Sequence, residues 1–132
     1  MKFQINPNTT LREIRQEFHN HFPYLKLEFF EAGHEAGHGT PKSALISDYN
    51  QSAGVAETVA WEVNAEMTVK QLEGWFLTAA GLHVQVFRKS GQVWLETTHS
   101  DGETLAAQNR KGREHEIPPA SDTELPDYHE QE

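Results

Sequence analysis

Apolar residues recur at helical spacing in two stretches of the chain. Leu11, Ile14, Phe18 and Phe22 form one stripe, and Val69, Leu72, Phe76 and Ala79/Ala80 form another. Each stripe predicts a helix that turns one face to a core. Thr10 and Glu13 are spaced as a reciprocal capping box before the first helix, and Thr68 and Gln71 repeat the device before the second. Strand-like alternation flanks both helices. Phe3 and Ile5 precede the first, and Val59, Trp61 and Val63 precede the second. The segments YLKLEFF and LHVQVFR follow them, and they alternate as strands buried on one side should.

These two runs can be laid over one another. Residues 5 to 30 match residues 63 to 87, pairing Ile5 with Val63, Asn6 with Asn64, Thr10 with Thr68, Ile14 with Leu72, Phe18 with Phe76 and Phe30 with Phe87. Two strand-helix-strand units in tandem predict an α+β fold: a ferredoxin-like tandem β-α-β repeat with one antiparallel sheet and both helices on one face. VWLETT extends the second unit as an added C-terminal hairpin strand. A two-residue turn at Ser90-Gly91 would set Phe87 opposite Trp94. SDGETLAAQNRKG then predicts a short last helix, with Ser100 and Glu103 as its capping box and Gly112 as its stop.

Two regions stand outside this scheme. The connection over residues 31 to 57 is far longer than the usual ~4 to 6 residues, which marks it as functional or partly unstructured. From residue 114 the chain carries Glu114, Glu116, Asp122, Glu124, Asp127, Glu130 and Glu132 with three prolines and no Lys or Arg. The expectation is a single domain over 1 to 113 followed by a disordered acidic tail, 114 to 132. The tail accounts for most of the formal charge of -9, since the preceding residues hold 13 acids against 11 bases. Such a body offers no basic stripe for phosphate backbones, so no nucleic-acid partner is expected. No apolar stretch approaches the roughly 18 residues of a membrane span. The absence of cysteine removes disulfides and thiolate chemistry, and the expected setting is cytoplasmic, with no membrane partner.

One motif names a chemistry outright. His34-Glu35-Ala36-Gly37-His38 satisfies the two-histidine zinc protease pattern. That chemistry needs a helix to bring both histidines to one face. Here Gly33, Gly37, Gly39 and Pro41 oppose a helix, at ~1 kcal/mol for each interior Gly and ~3 for Pro. The motif is also EAGH written twice, which yields the pattern whatever the chemistry. No third ligand is nominated by spacing. His34 and His38 are therefore weak metal candidates, suited to adventitious zinc or nickel, and no cofactor is expected. Neither a serine elbow nor a phosphate cradle is present, and no catalytic residue is nominated.

The remaining candidate is a surface. Phe30, Phe87 and Trp94 fall on the sheet face away from Leu27, Val84, Val86 and Leu95. An aromatic set of this kind either stabilises a hairpin or marks an interface. The reading that follows is a small non-enzymatic interaction or scaffold module, self-associating as a homodimer or binding another protein through Phe30, Phe87 and Trp94. The alternative is a ligand- or divalent-metal-binding protein using the His34-His38 loop, with a zinc hydrolase its remotest form.

Overall fold

The computed structural model describes residues 2–31, 45–97 and 100–115. These residues form an α+β fold with two antiparallel sheets and three helices. Strand β1 (Lys2–Ile5), helix α1 (Leu11–His21) and strand β2 (Leu25–Phe30) make the first unit. Strand β3 (Val59–Glu62), helix α2 (Val69–Trp75) and strand β4 (His83–Ser90) make the second. A π-helical turn, Phe76–Ala80, continues α2 and ends at Gly81, whose φ of 68° is a left-handed cap that suits glycine. Strand β5 (Val93–Glu96) and helix α3 (Leu105–Glu114) complete the described chain.

The strands divide differently from the single sheet that the sequence suggests. β1 pairs with β3 in one sheet, and β2, β4 and β5 form the other in that order. A ferredoxin-like arrangement would place the four strands of both units in one sheet. Here each strand instead pairs with its counterpart in the other unit. Phe3 lies opposite Trp61 in the first pairing, and Glu28 lies opposite Gln85 in the second.

Local capping agrees with the sequence at both main helices. Thr10 and Glu13 exchange side-chain and backbone bonds before α1, and Thr68 and Gln71 do so before α2. Beyond the caps, each helix start is latched by a later segment. Leu11 N–H donates to Gln51 O and Arg12 N–H to Tyr49 O, while Ala53 N–H returns to Thr9 O. In the second unit Val69 N–H donates to Glu103 O and Lys70 N–H to Asp101 O, while Leu105 N–H returns to Met67 O. These latches satisfy helix amides that have no acceptor within the helix. Residues 45 and 46, within the long connection, also find a place beside β2, where Ile46 N–H donates to Phe29 O.

The second latch explains why α3 starts later than expected. Residues 101 to 103 are engaged at the start of α2, so Ser100 does not cap a helix. Thr104 is the N-cap instead, accepting from Ala107 N–H. Ser100 Oγ accepts from Gln108 Nε2, a bond from inside the helix. Nor does Gly112 stop α3, which runs to Glu114. A Cβ on Gly112 would lie 2.6 Å from Tyr24 Cβ and 3.2 Å from Lys89 O, so the residue permits close approach of α3 to the sheet. The proposed acidic tail lies outside the described residues from 116 onward.

The hairpin turn is also shifted. Ser90 pairs with Val93, so the turn residues are Gly91 and Gln92. Gly91 takes φ 62°, and a tight hairpin turn asks for a left-handed residue first, a place Ser90 would fill poorly. The shift moves Trp94 opposite Lys89 and sets Phe87 opposite Glu96, while every side chain keeps its face.

The core joins both units. Leu11, Ile14 and Phe18 from α1 meet Val69, Leu72 and Phe76, with Leu25, Leu27, Phe29, Val84 and Val86 from the larger sheet. Trp61, 1% exposed, is its centre. Its ring stacks on Phe18 at 6.3 Å and Trp75 at 6.4 Å, and meets Phe3 and Phe76 edge-on.

Candidate functional site

The outer face of β2 begins with Lys26 and Glu28, and the arrangement around them defines the most distinctive cleft among the described residues. Helix α1 runs beside β2 and offers Arg12, Arg15, Gln16 and His19, successive residues of one helix side. The first latch brings Tyr49 to the same place, and β5 brings Trp94. Together these six residues and Lys26 line a cleft of about 280 Å³.

Glu28 organises the base of the cleft. Its side chain accepts from Arg15 Nη2 at 3.3 Å and Lys26 Nζ at 3.0 Å, and the Tyr49 hydroxyl donates to its other oxygen. Each cation also rests on an aromatic ring. The Arg15 guanidinium lies 4.6 Å from the Tyr49 ring centre, and Lys26 Nζ lies 4.9 Å from that of Trp94 and 5.6 Å from that of Phe87. Arg12 is held by its Nε, which donates to Asn50 Oδ1 at 3.0 Å. Two cations are thus fixed on one internal carboxylate, and a third, Arg12, lines the same cleft. Burial raises the Tyr49 phenol to about 12, and the hydrogen bond and charge of Glu28 act the same way against the smaller opposing effect of Arg15.

His19 is more constrained than a surface histidine. Its Nδ1 lies 2.9 Å from Leu25 O, and its ring meets Trp94 edge-on at 6.3 Å. A carbonyl can only accept, so Nδ1 carries the hydrogen and Nε2 is the nitrogen turned toward other partners.

The second unit places different chemistry in the matching positions. Glu73 on α2 reaches inward, where Oε2 accepts from Val86 N–H at 3.1 Å. Burial raises its carboxyl to about 7, the Val86 bond opposes this, and the nearby Asp101 charge adds to it. Glu73 is thus not a solvated helix-face carboxylate. Among the described residues no group of three or more His, Asp or Glu side chains could hold a metal ion.

The residues nominated from sequence are distributed as follows. Phe30, at 4% exposure, closes the end of β2 opposite His83 and is covered. Phe87 and Trp94 are half-buried on the same face, linked through the Lys26 ammonium, and Trp94 alone reaches the cleft. His34 and His38 lie outside the described residues. The sequence pattern nominates none of Arg12, Arg15, Lys26, Glu28 or Tyr49. The spacing of Arg12, Arg15 and His19 on α1 was a readable signal. The arrival of Tyr49 was not, because it depends on a backbone latch formed from the long connection.

Among the described residues no helix is long and apolar enough to cross a membrane. Comparison with protein-family profiles, curated proteins and solved structures finds no match to this chain.

Proposed function

We propose that this chain is a small non-enzymatic binding module built from a tandem pair of strand-helix-strand units, in which the first unit carries the binding site. The site is the cleft of Arg12, Arg15 and Lys26, and its ligand bears an oxyanion: a carboxylate, phosphate or sulfate. The observation that carries the reading is the gathering of three cations, two of them resting on aromatic rings, in a chain of net charge -9. Guanidinium groups suit such ligands because their planar fork matches an oxyanion edge. The matched latches at the starts of α1 and α2 support the tandem reading.

Titration calorimetry at low salt, with inorganic phosphate and citrate as probes, tests the site. Binding of either should weaken with rising ionic strength and fall about tenfold in Arg12→Gln, which removes a fork that makes no bond to the core. Absence of binding to both probes by the unmodified chain and by every uncharged Glu28 variant described below would overturn the reading.

A second reading makes the outer edge of β5 an interface between two copies of the chain. It is favoured by Val93, 54% exposed on the outer strand β5 next to Trp94. An open strand edge with an exposed apolar residue is suited to pairing with another strand. Sedimentation equilibrium would remove this reading by finding a monomer at all concentrations.

A further inference from the structure

We infer that Glu28 determines the affinity and selectivity of the cleft, because its own carboxylate occupies donors that a ligand's oxyanion would otherwise take. This rests on the cleft being the binding site. The geometry is that of an internal ligand: one carboxylate accepting from a guanidinium, an ammonium and a phenol, with its side chain 10% exposed. Its residual function is to hold Arg15 and Lys26 in place against the Tyr49 and Trp94 rings. Its cost is one negative charge directly beneath the cleft. A monoanion must therefore compete with Glu28 for Arg15 and Lys26, whereas a di- or trianion can engage these two and the Arg12 fork together. The cleft selects multiply charged oxyanions, and Glu28 sets that threshold.

The position of Glu28 in the sheet makes the inference specific. Its partner across β2 and β4 is Gln85, an uncharged residue of nearly the same shape at the matched place in the second unit. A glutamine therefore fits this strand environment, and Glu28→Gln removes the charge while keeping an oxygen for the Tyr49 hydroxyl.

The test measures acetate, inorganic phosphate and citrate binding to the full chain and to Glu28→Gln, Glu28→Thr and Tyr49→Phe. Thr is a second uncharged choice suited to a strand. Both uncharged variants should bind phosphate about tenfold more tightly, with a steeper dependence on ionic strength and a smaller preference for citrate over acetate. Tyr49→Phe, which removes a bond and leaves the charge, should show no gain. A merely structural Glu28 would give weaker binding and an unchanged salt slope in all three variants. Unchanged or weakened phosphate binding in both uncharged variants, beside a full chain that does bind, would overturn this inference and leave the cleft standing. Binding only after the charge is removed would support it. No binding by any form would overturn both the inference and the site, and failure of both uncharged variants to fold would assign Glu28 to the fold and overturn the inference.

Discussion

The two strand-helix units carry the same backbone device and opposite chemistry. Each helix begins at a threonine cap, and each gives its first two amides to carbonyls of a later segment. In the first unit Arg15 turns to the outer face of the sheet and joins Lys26 and Tyr49 around a charged Glu28. Glu73 in the second reaches a backbone amide of β4, beside the uncharged Gln85 and near Asp101. Caps and latches fix where a helix sits, and a few side chains then decide whether the space beside it opens to a ligand or closes.

The largest effect is expected where the comparison has no sides. Trp61 touches Phe18 of the first unit and Phe76 of the second. Trp61→Ala should cost ~3 to 5 kcal/mol, and chemical denaturation should show a single transition at lower denaturant. Two separate transitions would mean that the units are energetically independent.

The next contrast is in pH. Glu73 has its carboxyl raised to about 7 by burial, well above the value expected in an unfolded chain. A raised folded value means the folded form holds the proton more tightly. That contribution is complete below the unfolded value and is lost as pH rises through about 7. Allowing for the partial exposure of Glu73, the loss is about 2 kcal/mol. Melting curves should show the full chain less stable at pH 8 than at pH 5. Glu73→Gln should remove most of that difference, whereas Arg15→Gln should leave it in place.

The smallest effect should be the same on both sides. Thr10→Ala and Thr68→Ala each remove a side-chain cap, and each should lower stability by ~1 kcal/mol by thermal denaturation. A large difference between the two would show that the latches do not share the capping role equally.

The features legible in the sequence were those set by neighbours along the chain. The stripes of α1 and α2, their capping boxes and the alternation of β1 to β5 depend on residues a few positions apart. Partition of the strands into two sheets was not legible, because β2 chooses between edges that are distant in sequence. The same limit applies to α3, whose start is displaced because residues 101 to 103 serve another helix. In the cleft, Trp94 was nominated as one of an aromatic set, and its role as a support for Lys26 came only with the true hairpin register. Glu73 resembled any exposed helix carboxylate until its approach to Val86 N–H was known.

The pairing of each strand with its counterpart has a consequence for synthesis. β1 has no strand partner until β3 has been made, and β2 has none until β4 has. A chain emerging from the ribosome therefore carries β1 and β2 before either of these strand partners exists. The first unit cannot be banked as a finished piece, and sheet formation waits for the second half to arrive. Such a protein folds late and as a whole, with a rate set by bringing distant segments together. During that interval its exposed strand edges are the part most in need of protection by a chaperone.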